Sequence, residues 1–142
     1  MTDENYPEHH LGYRPPLSAI DLGKVVYNGT YAQIYNYARD EYMRSIGYPY
    51  SKFLNEDQKN FAVIEMNVKF RKPLHYDEET VIVSKVEKIG SKSIVFDQKI
   101  YKDNMQILCN EAKFVMVCIG LSFKPEKIPE VLKNAFKKGP VV

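Results

Sequence analysis

One stretch of this chain limits its fold more than any other: a single long amphipathic helix with a series of strand patterns behind it. Asn28-Gly-Thr-Tyr31 opens it, and apolar or aromatic residues recur at Tyr31, Ile34, Tyr35, Ala38, Tyr42 and Ile46. Separations of three, four and seven place all six on one helical face. Asn28 is a favoured N-cap type and Thr30 a weaker one, while Gly47 and Pro49 stop the helix. The spacing predicts a helix from 28 to 46, about five turns long.

Four strand patterns follow a short irregular stretch around 50–60. Ala62, Ile64, Met66, Val68 and Phe70 alternate with mostly polar neighbours, as on a half-buried strand. Thr80 to Lys88 is rich in valine and isoleucine, and Ser93 to Tyr101 follows Gly90. Asp103-Asn104 suits a hairpin turn into the run Ile107 to Ile119. Pro125 and Pro129 precede a short amphipathic tail, Val131 to Phe136. Upstream, Tyr13 to Ile20 reads as extended, at an edge or irregular, because Pro15 and Pro16 cannot donate ladder bonds. Residues 1–10 are polar and aperiodic, which predicts a disordered or loosely attached start, and 11–142 then form a single domain. One helix followed by antiparallel strands is an α+β arrangement. Since 28–46 is the only large apolar helix, the economical solution is a curved antiparallel sheet wrapped around it, the layout called the hot-dog fold.

Composition excludes several function classes. A net charge of +2 argues against a general nucleic-acid binder, which needs a large basic face. No apolar run is long enough to cross a bilayer, and the acidic, polar start is unlike a secretory signal. Cys109 and Cys118 show no metal or redox spacing, so both read as small hydrophobes in a reducing cytosol. Eleven tyrosines without a tryptophan suit half-buried surfaces and hence an oligomer interface.

The sequence contains no Gly-x-Ser-x-Gly, no His-x-x-x-His or Cys-x-x-Cys and no glycine-rich nucleotide loop. His9, His10 and His75 lie in polar or turn-like segments and read as exposed. No metal is expected. What remains is Asp21, seven residues before the helix start. A carboxylate there can face the first helical turn, where unpaired N–H groups and the positive dipole end gather. Such N–H groups can hold an oxyanion, and the carboxylate can attack or activate water. On spacing alone, Asp21-x-Gly23 is equally a common turn, and both readings stay open.

Asp21-Leu-Gly23-Lys-Val-Val-Tyr27-Asn28-Gly-Thr-Tyr31 resembles the signature of the 4-hydroxybenzoyl-CoA thioesterase family, which includes the bacterial Tol–Pal-associated thioesterases. That pattern reads approximately Asp-x-x-Gly-Val-Val-Tyr-His-x-x-Tyr, followed by a helix carrying Ala-Arg. Ala38-Arg39, Phe61-Ala-Val, Arg71-Lys-Pro73, Ser91-Lys-Ser93, Asn110-Glu-Ala112 and Lys124-Pro125 continue the likeness in order, from about Asp21 to Phe136. The resemblance implies hydrolysis of an acyl-CoA thioester, with Asp21 as nucleophile or general base. The backbone N–H of Asn28 becomes the oxyanion donor, with Gly29 beside it. Tyr27, Tyr31, Arg71, Lys72 and Lys92 become substrate or CoA contacts. It also implies no cofactor beyond the CoA of the substrate, acyl carrier protein as an alternative donor, and a homodimer or homotetramer in the cytoplasm. Three departures stand out: Asn28 where the nearest bacterial subgroup has histidine, Pro15-Pro16 and Ser18-Ala-Ile20 ahead of the aspartate, and Asn36 for a helix glutamate. The first two motivate a second reading, a non-catalytic acyl-CoA or acyl-carrier-protein binding or scaffold protein. Hydration or dehydration of an enoyl thioester ranks last, because no histidine lies between His10 and His75. Asp40 and Glu41 fall off the apolar helix face and read as solvated, as does Glu65.

Overall fold

The structure, a computed structural model, describes residues 5–141. Its strands are β1 (His9–Tyr13), β2 (Asn60–Phe70), β3 (Thr80–Ile89), β4 (Ser93–Lys102) and β5 (Ile107–Ile119). Its helices are α1 (Tyr31–Ser45), α2 (Tyr50–Asn55) and α3 (Glu130–Lys138). The strands form one antiparallel sheet in the order β1-β3-β4-β5-β2, and α1 packs on its inner face. This is the α+β hot-dog layout.

The six positions picked out by helical spacing are all at most 5% exposed. Tyr35 meets Phe114 of β5 edge-on at 5.6 Å, and Tyr42 meets Phe96 of β4 at 5.3 Å. Burial of such aromatic area, at roughly 25 cal/mol per Å², is what ties the helix to the sheet. Asp103 and Asn104 both take positive φ and turn β4 into β5, as expected of these residue types.

Several expectations are corrected. Residues 1–4 lie outside the described residues, but the rest of the supposedly loose start is attached. Tyr6 is buried in the core, and His9 and His10 begin β1, paired with Ser84 and Val83. The strand is too short to show a period, and Gly139 lets Pro7 pack close: a Cβ there would lie 2.5 Å from the proline. Asn28 does not cap the helix. Asn28–Thr30 form a 3-10 turn, and the N-cap of α1 is Thr30, with no side-chain bond. Tyr13–Ile20 is not one extended run, since Leu17–Ala19 make a 3-10 turn. The irregular stretch begins with α2, started by Pro49 and held by Phe53, which packs 4.8 Å from Phe61.

The alternation read on β2 is also broken. Phe61 pairs with Cys118 and Val63 with Met116, but Glu65 pairs with Val115 and Met66 with Phe114, so Ile64 is the extra residue of a bulge. The inner phase is therefore Phe61, Val63, Met66, Val68 and Phe70. No helix among the described residues is long and apolar enough to cross a membrane.

Candidate active site

The segment before α1 folds back on itself. Ile20 and Val26 bridge, the Asp21 N–H donates to the Val25 carbonyl, and the Lys24 N–H returns to the Asp21 carbonyl at 3.0 Å. Asp21 sits exposed in this turn, its Oδ1 accepting the Gly23 N–H at 2.7 Å. The turn reading of Asp21-x-Gly23 thus describes the local geometry. The Val26 N–H donates to Leu74 and the Tyr27 N–H to Ala19, which delivers the chain to the 3-10 turn. There the N–H groups of Asn28 and Gly29 precede any intrahelical acceptor, and they have no backbone acceptor among the described residues. Gly29 lets the Tyr27 ring lie close: a Cβ would be 2.6 Å from Cε2 of Tyr27, and the ring would have to shift to make room.

A second loop meets this turn. The ladder of β4 and β5 skips Cys109, and the Cys109 carbonyl accepts both the Arg71 and the Lys72 N–H at 2.9 Å. That double bond to one carbonyl ends β2 and turns Arg71-Lys72-Pro73 toward Val25 and Val26. Between the loops lies an open pocket of about 230 Å³ lined by Val25, Val26, Asn28, Tyr31, Phe70, Arg71, Lys72 and Pro73. Tyr31 is buried against Phe70, edge-on at 5.3 Å. Burial pushes its phenol up to about 12, against the pull of a bond from the Leu74 backbone. Arg71 reaches Glu111 at 3.3 Å, an exposed pair of little energetic weight.

Four of the eight predicted site residues, Asn28, Tyr31, Arg71 and Lys72, therefore share one pocket. Tyr27 and Gly29 flank it. Asp21 and Lys92 do not line it. Lys92 lies in the turn between β3 and β4, where its carbonyl accepts the Cys118 N–H. Cys118 is nine residues along β5 from Cys109, about 30 Å at the rise of a strand. In one chain the two groups of expected CoA contacts are at opposite ends of the sheet. Asp40 and Glu41 are both drawn to Arg44, at 3.4 and 2.5 Å, while His75 and Glu65 are exposed.

Residue spacing also held a signal that the sequence reading left unused. Arg39 is four residues after Tyr35 and three before Tyr42, so it belongs to the apolar face, and it is only 3% exposed. Its Nη1 donates to Gln98 Oε1 at 2.8 Å, and its guanidinium carbon lies 4.2 Å over the Phe114 ring. Gln98 in turn donates to Ser84 Oγ at 2.9 Å and the Tyr35 carbonyl at 3.1 Å. Tyr35 donates to Asn110 Oδ1 at 2.7 Å. A polar seam thus runs beneath α1, and two of its donors, Arg39 Nε and Asn110 Nδ2, have no partner among the described residues.

Comparison with known proteins bears on this site. Residues 15–136 match the family described as the thioesterase-like superfamily. The acyl-CoA thioester hydrolase YbgC of Escherichia coli O6:H1 is 30% identical over 119 residues, covering 83% of this chain and 87% of that protein. The chloroplastic acyl-acyl carrier protein thioesterase ATL3 of Arabidopsis thaliana is 27% identical over 117 residues, covering 82% of this chain and 61% of its own length. Among solved structures, the 1,4-dihydroxy-2-naphthoyl-CoA thioesterase of Synechocystis superposes with a TM-score of 0.83 at 17% identity, over 92% of this chain and 96% of that one. At that identity the superposition speaks to the fold.

Proposed function

The chain belongs to the thioesterase-like superfamily and is a thioesterase, and from that premise we propose that it hydrolyses an acyl-CoA thioester to the free acid and CoA. The observation that carries the reading is the open start of α1. Two backbone N–H groups with no acceptor among the described residues, those of Asn28 and Gly29, lie at the edge of a pocket that Asn28 lines together with Tyr31, Arg71 and Lys72. A thioester carbonyl bound there gains negative charge as it is attacked, and fixed N–H donors stabilise that charge more than they stabilise the ground state. Asp21 supplies the carboxylate. Its bond from Gly23 holds Oδ1, and Oδ2 has no partner among the described residues, so the turn orients the group without consuming it. Oδ2 either attacks the carbonyl, giving an anhydride that water opens, or takes a proton from the attacking water. In both routes the C–S bond breaks and the thiol of CoA leaves with a proton. No further cofactor takes part.

The site is completed by a second copy. β2 is an edge strand, and Val63, Met66 and Phe70 on its inner phase are 47%, 51% and 53% exposed. Antiparallel pairing of two β2 edges about a two-fold axis sets the Phe70 end of one strand beside the Asn60 end of the other. Lys92 of the second copy thereby approaches Arg71 and Lys72, and the three cations accept the phosphates of CoA. A homotetramer requires one more face. Acyl carrier protein presents the same thioester arm and is a further donor. Both cysteines are free and buried, which suits a cytoplasmic setting.

The test is release of CoA thiol from a panel of acyl-CoAs. Asp21→Ala is expected to lower kcat by about a thousandfold or more, as loss of a reacting group does, with an unchanged melting temperature. Single turnover in ¹⁸O-water separates the two routes, since only direct attack leaves label on Asp21. The alternative, a non-catalytic binding protein, is favoured by the absence of Asp21 from the pocket lining in one chain. Acyl-CoA binding without thiol release by the wild type would establish it.

A further inference from the structure

Among the five polar or charged residues buried in the core, Arg39 is the one that carries a charge. A cation removed from water is normally matched by an anion. Arg39 has none: no ion pair involves it among the described residues, and the side chains it bonds, Gln98 and Asn36, are neutral amides. Asp40 and Glu41, its neighbours in sequence, turn away to Arg44. The Phe114 ring below offers only its face, and Nε–H has no acceptor among the described residues. Burial lowers the guanidinium to about 10, with the Tyr50 phenol rather than a carboxylate pulling the other way.

The position of this cation relative to the proposed reaction centre can be measured along two elements. Along α1, Arg39 is eight residues from Tyr31, about 12 Å at 1.5 Å per residue. Along β2, the Tyr31 end is marked by the ring contact with Phe70, and the Arg39 end by Met66, which pairs with Phe114 beneath the guanidinium. Phe70 and Met66 are four residues apart, about 13 Å at the rise of a strand. The two rulers agree. Between their marks the inner face of β2 presents Phe70, Val68 and Met66, of which the first and last are exposed. An apolar strip thus leads from the open helix start to an uncompensated cation.

We infer that Arg39 is a specificity-determining residue, which receives the far-end carboxylate of an ω-carboxyacyl thioester lying along this strip. The inference rests on the thioesterase reading for the place of the carbonyl. An acyl chain extends about 1.2 Å per bond, as an extended backbone does. Eight carbons then span about 8 Å, and a charge-assisted hydrogen bond adds about 2.8 Å. The side chain of Arg39 leans toward the helix start, which closes the remaining gap. The apolar strip takes the methylenes, and the carboxylate supplies the missing counter-charge.

The experiment compares suberyl-CoA with octanoyl-CoA, equal in length and differing only in a terminal carboxylate for a methyl. The wild type is expected to favour suberyl-CoA in kcat/KM by roughly tenfold to a hundredfold. Arg39→Met should remove at least tenfold of that ratio by lowering the suberyl value, and Arg39→Lys should restore part of it. A wild-type ratio of one or less overturns the inference, and needs no variant to fold. So does an unchanged ratio in a folded Arg39→Met. Equal hydrolysis of both thioesters would leave the thioesterase reading standing and remove only the role of Arg39. If neither is hydrolysed, the thioesterase reading passes to the wider acyl-CoA panel, and calorimetric binding of the same two compounds decides the role of Arg39: tighter binding of octanoyl-CoA, or equal binding, overturns it.

Discussion

β1 and β2 close the two ends of one sheet, yet they meet their surroundings in opposite ways. β1 spans five residues, carries His9 and His10, and is followed by Arg14, which pairs with Glu79 at 2.6 Å. Shortness and polarity are the usual means of blunting an edge. Tyr6 and Pro7 before it pack into the core and against Gly139 at the end of α3. β2 spans eleven residues and leaves Val63, Met66 and Phe70 half uncovered. α1 packs over β1, β3, β4 and β5 and touches this strip at Phe70, through Tyr31. Within one chain, then, the β1 edge is tied down by its flanking residues while cover for the β2 edge is deferred, beside the pocket.

The contrast is broken most severely by putting charge on the β2 strip. Val63→Glu with Met66→Glu should abolish self-association in sedimentation equilibrium and, because the proposed site needs the second copy, lower kcat/KM by about a hundredfold or more. Full activity in a monomer would end the idea of a shared site. Phe53→Ala comes next. Phe53 is fully buried and packs against Phe61, where β2 begins, so truncation should cost about 3–5 kcal/mol in denaturant unfolding. A cost below about 1 kcal/mol would show that α2 does not hold the edge.

A smaller effect belongs to β1. His9 meets Tyr42 edge-on at 6.0 Å, and its Nδ1 has no partner among the described residues. Burial holds its imidazole below the ordinary value of 6.5, with Glu41 pulling the other way and His10 adding to the drop. The unfolded chain therefore binds the proton first. Its contribution is intact above pH 6.5 and is lost as pH falls through the lower folded value. His9→Gln should flatten the decline of melting temperature over that window, and an identical decline would remove the assignment. Gly12→Ala should have the smallest effect of all. A Cβ at Gly12 meets nothing within 4 Å and its φ is not positive, so melting temperature should hold or rise slightly, with association unchanged.

These edges also show how far residue pattern reaches. Helix α1 and strands β3 to β5 were legible because burial on one face imposes a period, and each has such a face. The two edges were not. β1 is too short for a period, and half of β2 answers to no partner within the chain. Its alternation looked regular through Ala62, Ile64 and Met66, while the real phase changes at the bulge. Asp21 was legible as a turn and, through resemblance, as a carboxylate in a family pattern. That Lys92 lies about 30 Å from Lys72 along β5 follows from register, which no local pattern records. Arg39 escaped because a charged residue within an apolar period is easily counted as an interruption, when here it is a buried member of the face.

The bulge has one more implication. Every residue of β2 except Ile64 has a partner on β5, and the inward and outward sets resume in step on either side of it. A chain lacking Ile64 would keep all those pairings and both faces. It would lose the local bend, because an extra residue on one strand is what adds twist there. The curvature of this margin is thus encoded separately from its contacts, in a single removable residue. Evolution or a protein engineer could straighten or bend it by one codon without rewriting the strand.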